Sequence, residues 1–217
     1  MKKKVKFYSI LSGLVLSSIG ISFATGTFHP NYFVKKDIIE NVKQEMMLQW
    51  KELGLKEPSI EYSSNTEFVQ AVNRCVQWVN LGLEPDQRIH REIILSMAVL
   101  ETGYGTSRFA IEGNNLFGIR TWDPNTPQLK ARGNPDAEWG VKVYPTKCAS
   151  VQNMIDIINR HPAYEGFRKL RIEQANNNTT DINALTHELH KWSTNPDYTK
   201  IVISKFDKIE SILKDGT

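Results

Sequence analysis

The sequence has no glycine-rich phosphate loop, no dinucleotide fingerprint and no serine nucleophile elbow, which leaves nucleotide chemistry and serine hydrolysis without a carrier. Beyond its first six residues it has no run of like charge and no basic stripe, so nucleic acid is not an expected partner. It has no internal repeat, and its low-complexity content stops at Asn176-Asn177-Asn178-Thr179-Thr180. The histidines of His187-Glu188-Leu189-His190 invite a metal, but they miss the spacing that brings both rings to one helix face, and no third ligand is in view. No metal and no cofactor is therefore expected. Cysteine is scarce: Cys75 and Cys148 both sit in helical apolar patterns and read equally as a bridge or as two buried thiols.

What is present begins with a leader. Met1-Lys2-Lys3-Lys4-Val5-Lys6 precedes an apolar run from Phe7 to Phe23 that is short for a membrane span, and Ser22 and Ala24 put small residues at the −3 and −1 positions of an Ala24/Thr25 cut. Residues 1–24 read as a secretory signal peptide, with an uncleaved membrane anchor as the alternative. Membrane contact is expected only through this segment. With no cysteine near the cut, a lipoprotein anchor is not expected. Loss of Lys2, Lys3, Lys4 and Lys6 takes the net charge from +3 to −1, and the remainder is long enough for one sizeable domain with a core.

Residues 25–64 read as an N-terminal helical arm. From Ile39, positions Val42, Met46, Trp50 and Leu53 keep helical spacing until Gly54 and Pro58 stop it. Residues 65–217 read as the main domain. Asn65 or Thr66 can cap a helix whose Val69, Val72, Val76 and Val79 form one face, ended by Gly82. Another follows Pro85-Asp86. Between Phe117 and Pro145 the helical period disappears, prolines and glycines punctuate the chain, and Trp139, Val141 and Val143 alternate, which predicts a small β-lobe with a strand from Glu138 to Tyr144. Helical spacing returns with Val151, Met154, Ile155 and Ile158, then Leu185, Leu189 and Trp192, and finally Tyr198, Ile201, Lys205, Ile209 and Ile212. The expected fold is α+β and predominantly helical, with a cleft between the helical body and a β-hairpin lobe.

Glu101 closes the stripe formed by Ile89, Ile93 and Met97, and Gly103 and Gly105 follow at once. A carboxyl aimed at apolar surface near a helix C-terminus is disfavoured in its charged form by both burial and the helix dipole, so its pKa should rise. A carboxyl kept protonated is what a general acid needs. The alternative is a fraying helix end with Glu101 in water.

Glu101-Thr102-Gly103-Tyr104-Gly105-Thr106-Ser107-Arg108-Phe109-Ala110, followed by Gly113-Asn114-Asn115-Leu116-Phe117-Gly118-Ile119, resembles the glucosaminidases of glycoside hydrolase family 73, in particular the Bax-like branch and the hydrolase domain of flagellar-rod peptidoglycan hydrolases. Val143-Tyr144 and Asn195-Pro196-Asp197-Tyr198 extend the resemblance over roughly residues 65–210. It implies a lysozyme-like fold, cleavage of the β-1,4 bond after N-acetylglucosamine in peptidoglycan, and Glu101 as the acid. It also implies a second carboxyl in the β-lobe. Glu138 is the candidate there, with Glu112, Asp123 and Asp136 as competitors, and assistance by the substrate's own acetamido group is the other route. The resemblance puts Asn114 and Asn115 in the cleft, where their amides suit sugar hydroxyls, although Gly113-Asn114 is also good turn chemistry. Phe117 belongs to the same motif. Tyr144 is expected to set the acetamido group or a water. Trp122 and Trp139 are aromatics of the kind on which sugar rings stack. Tyr198 is carried as a cleft candidate although it also fits an apolar stripe, and Trp192 stands where the family often has tyrosine.

The reading is an exported endo-β-N-acetylglucosaminidase that cuts between N-acetylglucosamine and N-acetylmuramic acid, in the periplasm or cell-wall space. Its expected partners are peptidoglycan glycan strands and an envelope machine that the sequence does not name. Two alternatives stand beside it. A lytic transglycosylase would share the catalytic glutamate, but its usual Gly-Leu-Met-Gln stretch is replaced here by Asn115-Leu116-Phe117-Gly118. A non-catalytic wall-binding or assembly module would keep the cleft without turnover.

Overall fold

The computed structural model describes residues 13–22, 37–38, 41–42, 44–45, 48–50 and 52–215. The chain divides into two compact units, Met1–Lys56 and Glu57–Thr217. In the first, residues 13–22 are helical, as are the described positions between 37 and 50, and Gly54 turns the chain at φ +72°. The Ala24/Thr25 cut lies outside the described residues, as do Ile39 and Met46 of the expected arm.

In the second unit helix α1 runs Asn65–Leu81. Its cap is Ser64, one residue before the expected Asn65: the Ser64 hydroxyl accepts from Glu67 N, and the Glu67 carboxylate reaches back to accept from Ser63 N at 2.7 Å. Val69, Val72, Val76 and Val79 are all buried, the one-sided stripe that the spacing predicted. A 3₁₀ turn at Pro85–Gln87 leads into α2 (Arg91–Thr102), whose Ile93 and Met97 are buried with Ile89 just before it. The short α3 (Arg108–Glu112) is capped by Ser107.

The β-lobe is smaller than expected. Strands β1 (Arg120–Thr121), β2 (Gln128–Leu129) and β3 (Gly140–Lys142) form an antiparallel sheet in the order β1-β3-β2. Pro124 follows β1 and Pro127 precedes β2, so neither neighbour offers a longer edge, and the expected strand from Glu138 to Tyr144 contracts to its middle. Arg108 Nη1 donates to Lys130 O at 2.9 Å and ties the lobe to α3.

Helix α4 (Lys147–Arg160) starts at the Thr146 cap and buries Val151, Met154, Ile155 and Ile158. Helix α5 (Glu165–Asn176) has no counterpart in the apolar pattern, because only Phe167 and Gln174 are buried on it. Then come α6 (Ile182–His187) and a 3₁₀ turn at His190–Trp192. The expected C-terminal helix is two: α7 (Tyr198–Ile203) and α8 (Phe206–Asp215). Ser204 lies at the break, its hydroxyl bonded to Ile201 O at 2.7 Å in competition with the helical ladder. Helix α1 packs on α2, α4 and α8 around one core. Cys75 of α1 and Cys148 of α4 are bridged, with Cα atoms 5.1 Å apart, which resolves the two readings in favour of the disulfide.

Candidate active site

Glu101 lies in the last turn of α2 and is half-buried. The helix stops one residue later because Gly103 takes the left-handed conformation at φ +58°, its N–H still bonded to Val99 O. Thr102 locks the stop: its hydroxyl donates to Ala98 O at 2.6 Å and accepts from Gly105 N at 2.7 Å. Gly105 sits at φ +80°, and a Cβ there would overlap the Tyr62 hydroxyl and the Phe68 ring. Tyr62 donates to Gly105 O at 2.8 Å, so the segment ahead of α1 closes over the turn that ends Glu101's helix.

Burial raises the Glu101 pKa, and a hydrogen bond to Oε1 from the Tyr198 hydroxyl, at 2.9 Å, pulls the other way without cancelling it. Tyr198 is 4 % exposed and belongs to the core, so it occupies the apolar stripe and still meets the carboxyl. Burial first, and then the Glu101 charge, push its own hydroxyl above the usual tyrosine range. Behind Tyr198 stands Tyr164, raised by burial to about 12, with its ring 5.9 Å from that of Trp192. The second carboxylate oxygen, Oε2, faces Gly118: a Cβ on that glycine would lie 3.5 Å from it.

Asn115 places that glycine. It is 1 % exposed, its Nδ2 donates to Ile119 O and Lys142 O, and its Oδ1 accepts from the N–H groups of Phe117 and Ile119. The side chain expected to meet sugar hydroxyls thus spends its amide on folding the 115–119 loop against β3. Asn114, at φ +51°, donates to Tyr144 O and Pro145 O and accepts from Lys147 Nζ, which is the turn chemistry its neighbour Gly113 predicted. Phe117 is 2 % exposed and packs in the core. Tyr144 is buried, its hydroxyl donating to Asn153 Oδ1 at 2.7 Å, and burial pushes its pKa above the usual range. Trp122 is 63 % exposed on the lobe. Glu138 is exposed in a bend two residues ahead of β3.

The structure therefore brings Glu101, Tyr198 and Gly118 together. Asn115 folds the loop that carries Gly118, whereas the polar contacts of Asn114 and Tyr144 are with Pro145, Lys147 and Asn153, and Phe117 packs in the core. The sequence marks neither Gly118 nor Tyr62 as a site residue: a glycine after Asn-Leu-Phe signals a turn, and nothing local in Tyr62 points to Gly105. His187 and His190, the pair considered for metal, make hydrogen bonds from Nδ1 to Thr199 Oγ1 and to His187 O.

Three comparisons bear on this geometry. The glucosaminidase family, described as mannosyl-glycoprotein endo-β-N-acetylglucosaminidase, matches residues 83–211, which include Glu101, Gly118, Glu138 and Tyr198. Protein bax of Escherichia coli (strain K12) is 32 % identical over 143 residues, 64 % of this chain and 46 % of that protein, so the chain matches less than half the length of this relative. The catalytic domain of the autolysin Auto from Listeria monocytogenes shares the fold, with a TM-score of 0.50 at 14 % identity over 79 % of this chain and 94 % of that one. The helical α+β body with its small antiparallel sheet is a lysozyme-like glucosaminidase fold, and the chain belongs to the glucosaminidase family of glycoside hydrolases.

Proposed function

We propose that the protein is an exported endo-β-N-acetylglucosaminidase that hydrolyses the β-1,4 bond between N-acetylglucosamine and N-acetylmuramic acid in peptidoglycan. The observation that carries this is the Glu101 carboxyl, desolvated at a helix end held by Thr102 and Gly103 inside the family's matched segment. Because Oε1 accepts from Tyr198, Oε2 is the oxygen left to hold the proton, and the missing side chain of Gly118 leaves room there for a glycosidic oxygen. Glu101 protonates that oxygen as the bond breaks. The reaction then closes in one of two ways. Either Glu138 directs water at the anomeric carbon, which inverts it, or the neighbouring acetamido group attacks and Glu101 returns as base, which retains it.

A wall substrate agrees with the autolysin identity of the structural relative and with the leader pattern of residues 1–24. The Cys75–Cys148 bridge also fits an oxidising compartment outside the cytoplasm. Among the described residues no helix is long and apolar enough to cross a membrane.

Glu101→Gln keeps the volume of the side chain but cannot donate the proton, so hydrolysis of purified sacculi should fall by about a hundredfold or more. Mass spectrometry of fragments from the wild-type protein should show reducing N-acetylglucosamine ends. Anhydro-muramic ends as the sole product would overturn the proposal.

A further inference from the structure

Arg120 lies two residues past Gly118, at the start of β1, and its guanidinium stacks on the Trp139 ring, 3.9 Å from Cζ to the ring centroid. The sheet register makes this contact. Arg120 pairs with Val141 and Thr121 with Gly140, and Trp139 immediately precedes β3, two residues before Val141, so Arg120 reaches its ring along the diagonal of one face. The loop bearing Trp139 is pinned from below by Lys130, whose Nζ donates to Ala137 O at 2.7 Å and to Trp139 O at 3.1 Å. Arg120 is exposed, and among the described residues no carboxylate comes within ion-pair distance of it. Arg91, Lys169 and Lys200, which are also exposed, each pair with an acid.

A guanidinium lying over the face of an indole keeps N–H groups at its edge for a carboxylate, in the fork that suits it. Arg120 is also near the reaction. Gly118 is against the Glu101 carboxyl, and two residues of chain cover at most about 7 Å. We infer that Arg120, aimed by Trp139, binds a carboxylate carried by the glycan strand, and so selects acidic, peptide-bearing wall polymer over neutral N-acetylglucosamine polymers. The inference rests on the proposed function and adds a specificity-determining residue to it. Trp122, exposed two residues past Arg120, offers a ring surface for the sugar that carries the acid.

The test uses the full chain with Glu101→Gln, so that the polymer is bound and not cut. Cosedimentation is measured with native sacculi and with sacculi whose carboxyls have been converted to amides by carbodiimide in excess ammonium. Amidation should weaken binding by about tenfold, the scale of one charge-assisted pair. Adding Arg120→Ala should weaken binding to native sacculi to the same level and abolish the difference between the two polymers, while Arg120→Lys should keep part of it. Equal binding of both polymers by the parent, or an undiminished difference in Arg120→Ala, overturns the assignment. Wild-type digestion of the native sacculi is read in parallel. Reducing N-acetylglucosamine ends with no change of discrimination in Arg120→Ala sinks the Arg120 assignment alone. No cleavage at all sinks the underlying reading and this assignment with it.

Discussion

At the scale of single residues, the site reduces to a carboxyl with two unlike oxygens. Oε1 is held by Tyr198 and Oε2 opens toward Gly118. The Tyr198 bond stabilises the charged form of Glu101, while burial, the larger effect, stabilises the protonated form. Tyr198→Phe removes only the first influence, so the Glu101 pKa should rise further. An acid catalyst works while it is protonated, so its activity is lost as pH rises through that pKa. The alkaline limb of the pH–rate profile should therefore move to higher pH in Tyr198→Phe, while the maximal rate falls because the carboxyl is less well oriented. A pH–rate series on sacculi checks it. A limb that stays in place or moves to lower pH would mean that Tyr198 does not act on the carboxyl that sets the limb.

At the scale of elements, the end of α2 is over-determined. Gly103 stops the helix, Thr102 bonds on both sides of the stop, and Tyr62 closes over Gly105. Gly105→Ala meets two penalties at once, a left-handed φ of +80° and overlap with Tyr62 and Phe68. The backbone part alone costs about 1–2 kcal/mol. Thermal unfolding of Gly105→Ala should begin several degrees lower, and kcat should fall with it because Glu101 sits on the displaced turn. An unchanged melting curve would remove the strap formed by Tyr62 from the account.

At the scale of the whole unit, the family match begins at residue 83, yet much of the core comes from before it. Helix α1 supplies Phe68, Val69, Val72 and Val76, and the disulfide pins it to α4 across a separation of 73 residues. Closing a loop of that length stabilises by about 2–4 kcal/mol through the unfolded chain. Cys75→Ser with Cys148→Ser should lose that amount in denaturant unfolding, and the wild-type protein in strong reductant should unfold like the double variant. Coincident wild-type curves with and without reductant would contradict a structural bridge.

Local periodicity was enough to read most of this molecule. Residues four apart share a helix face, so the Val69, Val72, Val76 and Val79 stripe and the Ile89, Ile93 and Met97 stripe announced α1 and α2, and the second of these put Glu101 at a buried helix end with a raised pKa. The pattern was silent where burial is sparse, as on α5, and it ran past the Ser204 break because both sides of that break keep the same apolar period. The resemblance placed Asn115 in the cleft with an amide suited to sugars, and the backbone partners of that amide, in its own loop and in β3, were not legible in the sequence. The sequence by itself therefore determined most of the helices, the place of Glu101 at a helix end and the family. Only the tertiary structure decided what surrounds Glu101: Tyr198 is 97 residues away along the chain, and Tyr62 reaches Gly105 across 43. Contacts at such separations depend on how the whole core packs, and no local period encodes them.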